Sequence, residues 1–214
     1  MDNLAAMFAI FQKGGFVMYI LLFMSLFIVA IAVERYLYFK RNDSGRTFTQ
    51  RFFALMEQGK LVDALALSHK TKGATAAIVN KALDGHMEDV GELSSYLDIQ
   101  SGIELSKFHE HLYFLNVIVT MGPLLGLLGT ITGMISAFSI LNTSSGALGI
   151  TNGVGEALIA TATGIFVALV ALVVHSYFKQ RIEGIVTDME QTLSELQAKR
   201  KGILKAGVVD HEAA

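Results

Sequence analysis

Residues 153–174 read GVGEALIATATGIFVALVALVV, in which Glu156 is the last charge before eighteen uncharged residues, Ala157 to Val174. A helix of that length comes close to crossing the roughly 30 Å hydrocarbon core of a bilayer. Two other runs share the character. Gly14 to Val33 (GGFVMYILLFMSLFIVAIAV) is twenty residues without a charge, and Leu112 to Leu141 is thirty. Three transmembrane helices follow from these runs, and an all-α membrane protein is the expected fold class.

The first run exceeds the usual signal-peptide core of about 7–15 apolar residues and has no A-x-A-like site behind it. It ends instead in ERYLYFKR (Glu34 to Arg41), which reads as a charged anchor of a retained span. Of seventeen Lys and Arg residues, ten lie between Arg35 and Lys107 and six between Lys179 and Lys205, while Asn142 to Gly153 has no charge. The positive-inside rule then puts the N-terminus outside and the two basic segments in the cytoplasm. The expected order is an external amphipathic segment (1–13), span one (14–33) and a cytoplasmic helical domain (34–111). Span two (112–141), an external loop (142–153), span three (154–174) and a cytoplasmic helical tail (175–214) complete it. Leu4, Met7, Phe8 and Phe11 share one helical face of the first segment, which suits a helix lying in the outer interface.

Periodicity makes the cytoplasmic parts helical. Phe48, Phe52, Leu55 and Met56 recur at helical spacing in a stretch that ends at Gly59, and KLVDALALSHK and KGATAAIVNKALDG follow as shorter helices. Leu93, Leu97, Ile103 and Leu105 lead into span two without a visible breaker. Ile182, Ile185, Met189, Leu193 and Leu196 form one stripe in the tail. Spans two and three are therefore expected to continue as long helices past the membrane.

Several function classes drop out. With no cysteine there is no disulfide or thiolate–metal chemistry. A net charge of −2 argues against a nucleic-acid partner. No phosphate loop, zinc-protease motif or Ser–His pair with a supporting acid occurs, so no enzyme, metal or cofactor is expected. His109 and His111 are two residues apart and do not share a helical face.

What remains lies in the spans. Gly122, Gly126, Gly129 and Gly133, with Ala137, form a small-residue stripe on span two, and span three repeats the device with Ala157, Ala160 or Thr161, Gly164, Ala168 and Ala171. Such stripes let helix backbones approach closely in lipid, and this one is expected to carry helix packing and contacts between copies of the chain. Pro123 removes one backbone hydrogen bond from span two. Thr130 on span two and Thr161 and Thr163 on span three add hydroxyls that, with Glu156, are expected to form a polar track. Intramembrane threonines also bond their own backbone, and a carboxylate near a helix N-terminus is stabilised by the dipole. An ionisable residue at that depth nevertheless marks an ion path more often than not.

GPLLGLLGTITGMISAF followed by GVGEALIATATGIFVAL resembles the paired signature of the MotA/TolQ/ExbB proton-channel family, most closely its ExbB and TolQ branch. The three-span, outside-N layout and the ERYLYFKR anchor are similar to that branch, whereas the flagellar MotA branch has four spans. The resemblance implies a homo-oligomeric ring, typically a pentamer, in the bacterial inner membrane. Spans two and three would surround a pore holding an ExbD/TolR-like single-span partner that carries an ion-binding aspartate. Such a complex uses proton-motive force to drive a TonB- or TolA-like protein. By position, Glu156 and Thr161 match the family's third-span glutamate and threonine, and Thr130 its second-span threonine. Many relatives have a third-span proline where this chain has Val170. The competing reading is a structural membrane scaffold that assembles a complex and conducts nothing.

Overall fold

A computed structural model describes residues 15–84, 90–139 and 146–212. Among them are seven helices and no strand: α1 (Gly15–Asn42), α2 (Arg46–Glu57), α3 (Leu61–Lys70), α4 (Ala74–Asp84), α5 (Val90–His109), α6 (Leu112–Ser139) and α7 (Gly146–Glu212). The amphipathic face of Leu4, Met7, Phe8 and Phe11 lies outside the described residues, as does the connection over 140–145. The chain forms two compact units. The first takes residues to Glu34 together with His111–Phe178, and the second takes Arg35–Glu110 together with the chain from Lys179.

In the first unit, three helical stretches are long and apolar enough to cross a membrane. Bulky residues of α1 (Val17, Met18, Leu21, Met24, Ile28, Ile31) pack with Leu115 and Ile118 of α6 and Val167 and Ala171 of α7. Between α6 and α7 the seam is made of small residues. Gly122, Gly126, Gly129, Gly133 and Ala137 are buried on α6, and their neighbours are Gly153, Ala157, Ala160, Gly164 and Ala168 of α7. Large residues such as Phe23, Leu124, Phe166 and Val173 point outward. Lipid tails solvate large apolar side chains as well as a core does, so close backbone approach is what the interior selects for.

The glycine stripe, expected to carry helix packing and contacts between copies, faces α7 of the same chain. Small-residue spacing specifies how near a second helix can come, and leaves open which chain supplies it. α6 stays helical across Pro123.

Span three continues into the tail as one helix, and that helix already begins at Gly146, inside the stretch read as an external loop. Span two behaves differently. Its expected unbroken run from the cytoplasmic segment is interrupted between His109 and Leu112, with His111 in the left-handed region at φ 66°. Histidine is among the side chains that tolerate this conformation. The His111 Nδ1 lies 3.1 Å from Glu34 Oε2 at the end of the first span.

The second unit is built on ordinary amphipathic packing. Phe48, Phe52 and Met56 of α2 are buried, and so are Ile182, Ile185, Met189, Leu193 and Leu196 of α7, as their spacing expects. Thr192 Oγ1 donates to the Asp188 carbonyl at 2.8 Å and lies 3.3 Å from Thr49 Oγ1. On α5 the buried stripe is Leu93, Leu97 and Phe108, while Ile103 is 45% exposed. Ile103 sits ten residues after Leu93, well round the helix from that stripe. At Gly73 (φ 128°) an added Cβ would come within 2.7 Å of the Ser44 Cα. Only a bare glycine lets Ser44 reach α4, where its Oγ accepts the Ala76 N–H at 3.2 Å. Arg35, read as part of a charged anchor, is buried. Its Nη1 donates to the Lys107 carbonyl at 2.9 Å in the last turn of α5, and its guanidinium lies 4.8 Å from the Tyr38 ring centre. A cation there satisfies a carbonyl the helix end leaves without a partner.

Candidate functional site

The α6–α7 seam positions the threonines. A Cβ on Gly126 would lie 3.0 Å from the Thr161 Cα, so the missing side chain brings Thr161 against the α6 backbone. Thr161 Oγ1 donates to the Gly126 carbonyl at 2.9 Å and sits 3.5 Å from Thr130 Oγ1. Thr130 Oγ1 donates to the Leu127 carbonyl at 2.6 Å. A hydroxyl has one proton to give and two lone pairs to accept with. Both protons go to backbone carbonyls, so two acceptor oxygens are left beside each other within the membrane helices. Both residues are half-buried. Such a pair can accept hydrogen bonds from a protonated group or contribute oxygens to a monovalent cation.

Glu156 is elsewhere on α7. Five residues separate it from Thr161, about 140° around the helix axis. Its carboxylate faces α1, where a Cβ on Gly15 would overlap Glu156 Oε1 and lie 3.6 Å from Cδ. Thr163 shares the Glu156 edge, but its hydroxyl donates to the Ile159 carbonyl one turn back at 2.8 Å. Thr132 likewise bonds Leu128 and Gly129 of its own helix, at 3.0 and 3.1 Å. Within one chain the structure thus brings Thr130 and Thr161 together and sets Glu156 on the opposite edge. The hydroxyls expected to form a polar track with Glu156 lie on two edges of α7, Thr163 on the Glu156 edge and Thr161 toward α6.

Two participants escaped the sequence reading. The Gly126 carbonyl is backbone and leaves no mark on composition. Gly15 reads as an ordinary helix start, and its neighbour Glu156 lies 141 positions away, so neither spacing nor motif links them. Among the described residues no group of three His, Cys, Asp or Glu side chains is placed to hold a metal. His109 turns its Nδ1 to the Leu105 carbonyl at 2.9 Å.

Residues 70–191, which include Thr130, Glu156, Thr161 and Thr163, match the MotA/TolQ/ExbB proton channel family. A protein of Methanothermobacter thermautotrophicus, named as an ExbB homolog for biopolymer transport, is 25% identical over 183 residues, covering 84% of this chain and 65% of its own length. A biopolymer transport protein named ExbB-like 1, from Synechocystis, is 31% identical over 172 residues, 77% of this chain and 67% of its own length. The Tol-Pal system protein TolQ of Haemophilus influenzae is 31% identical over 94 residues, 43% of this chain and 41% of its own. The chain spans just under two thirds of the Methanothermobacter relative and less than half of TolQ. With three apolar helices able to cross a membrane and a family match over more than half its length, the chain is a multi-pass membrane protein that belongs to the MotA/TolQ/ExbB proton channel family, in its ExbB/TolQ branch.

Proposed function

We propose that the chain is the ring-forming subunit of an ion-driven motor of the ExbB/TolQ type, with Glu156, Thr130, Thr161 and Thr163 along the ion pathway. The observation that carries this reading is the Thr161–Thr130 pair, two hydroxyl oxygens 3.5 Å apart whose protons go to backbone carbonyls. Thr130, Thr132 and Thr163 each donate within their own helix. Thr161 reaches across to another helix and leaves its lone pairs beside a second hydroxyl.

Glu156 supplies a carboxylate near the outer end of span three. Below it, Ala157 to Val174 contains no acid, and neither does span two. Proton relays through membranes use chains of Asp, Glu or His. A further acid must come from another protein, and the aspartate of an ExbD/TolR-like single span in the central pore of a homo-oligomer, typically a pentamer, meets that need. One elementary charge crossing 100 mV releases about 2.3 kcal/mol, enough to bias two packed arrangements of helices. The work goes to a TonB- or TolA-like protein, for outer-membrane transport or envelope maintenance. The Lys and Arg distribution supports a cytoplasmic C-terminus and a periplasmic N-terminus in the inner membrane. Because the glycine seam is filled within the chain, the large outward residues such as Phe166 and Leu124 are the surface left for neighbouring copies and lipid.

Glu156→Gln tests the proposal. The variant is expected to assemble with its partner and to lose partner-dependent, ion-driven output in cells. Full output from the variant would favour the non-conducting scaffold instead.

A further inference from the structure

We propose that Gly15, the first residue of α1, is a positioning residue for the Glu156 carboxylate, which makes the first span part of the ion station. The inference rests on the reading of Glu156 given above. Three observations carry it. A Cβ on Gly15 would overlap Glu156 Oε1, so the carboxylate occupies the space a side chain would take. The backbone of Gly15 has φ 66°, a conformation that L side chains rarely adopt, so the notch is built by the main chain. Of the other positive-φ glycines, Gly45 and Gly59 have nothing within 4 Å of an added Cβ, and Gly73 makes room for the Ser44 backbone rather than for a carboxylate.

The chemistry of the notch suits a carboxylate. The first N–H groups of a helix have no intrahelical acceptor, and the aligned peptide dipoles place partial positive charge at that end. The left-handed φ of Gly15 departs from helical geometry, so Glu156 meets the end of the helical run that continues from Phe16. A bare glycine lets the carboxylate reach that end, and any side chain displaces it. Displacement of a reacting group by about 1 Å is enough to lose most of its rate. Glu156 therefore depends on a helix outside the α6–α7 seam for its position.

The test uses full-length chain with its co-expressed partner and compares Gly15→Ala, Glu156→Asp, Gly15→Ala/Glu156→Asp and Glu156→Gln. Gly15→Ala is expected to lower ion-driven output by up to about a hundredfold, the size of effect a group misplaced by about 1 Å produces. Asp is one methylene shorter and withdraws from the new methyl, so the double variant should exceed Gly15→Ala in output. Thermal midpoints of the same purified proteins should show the same coupling, Gly15→Ala costing less when residue 156 is Asp. A Glu156→Gln variant that stalls beside a fully active Gly15→Ala overturns this proposal alone. A fully active Glu156→Gln overturns the ion-station reading, and the positioning role with it. If Gly15→Ala fails to accumulate and Gly15→Ala/Glu156→Ala does not restore it, backbone strain alone explains the loss and the proposal falls.

Discussion

Gly164→Ala is the sharpest test of the α6–α7 seam. A Cβ there would lie 2.5 Å from the Gly122 carbonyl oxygen, 2.9 Å from the Gly126 Cα and 3.0 Å from the Gly126 nitrogen. All three are backbone atoms, so no side chain can swing aside and the helices themselves must part. Reaching ordinary contact near 3.4 Å requires a separation of up to about 0.9 Å, and a gap of that size forfeits a quarter to a half of each dispersion contact it opens. Overpacking of this kind costs about 1–3 kcal/mol. The Thr161–Gly126 hydrogen bond, now 2.9 Å, would stretch past bonding range. Interhelical hydrogen bonds in membranes average about 0.6 kcal/mol. Alanine returns about 1 kcal/mol of helix propensity relative to glycine. The net loss is about 0.6–2.6 kcal/mol. Gly155→Ala is the control, because nothing lies within 4 Å of an added Cβ there and only the propensity gain remains. Circular dichroism on heating the detergent-purified proteins should place the Gly164→Ala midpoint below the parent and Gly155→Ala at or above it. A Gly164→Ala midpoint equal to that of Gly155→Ala would refute the close packing of these helices.

Thr130→Val and Thr161→Val are expected to fold and to lose ion-driven output in cells; unchanged output in both variants would remove the hydroxyl pair from the pathway. Chain reconstituted into vesicles without partner should show little voltage-driven proton uptake by an internal pH dye, and robust Glu156-dependent flux from the chain alone would mean a complete channel in one protein. Arg35→Ala should destabilise the second unit by about 1–3 kcal/mol by removing the buried guanidinium and its charged hydrogen bond to the Lys107 carbonyl, seen as faster limited proteolysis between α1 and α5. Burial pushes the Asp188 carboxyl above the usual carboxylate range, with Asp43 adding and Arg46 and Arg181 opposing. The folded protein then holds the proton more tightly than the unfolded chain, so this contribution is full below the unfolded value of about 3.9 and is lost as pH rises through the folded one. Asp188→Asn should raise the thermal midpoint at pH 7 and lose that advantage toward pH 4; a variant no more stable than the parent at pH 7 would count against it.

Most of the fold was legible because the spans and the tail stripe are set by patterns within one helix. Ile182, Ile185, Met189, Leu193 and Leu196 are all buried for the reason their spacing states. The failures are relations between distant residues, or backbone states. The break at His111 has no Gly or Pro to announce it, only a histidine in a left-handed conformation. The glycine stripe revealed close approach, but the identity of the approaching helix depends on tertiary placement. Of the candidate site, the residue types and their depth could be read from the chain. The pairing of Thr161 with Thr130 rather than with Glu156 required knowing which edge of α7 faces α6.

The seam of glycine and alanine between α6 and α7 also has a consequence for order. Gly and Ala have no side-chain rotamers to freeze, so this contact forms with almost no loss of side-chain entropy. The outward Phe166, Leu124 and Phe23 keep several rotamers each and sample them freely until something covers them. The helical hairpin is therefore the part of the chain that can settle first, complete in itself before a second copy arrives. The outer layer of rotatable side chains can therefore repack while the hairpin behind it stays closed.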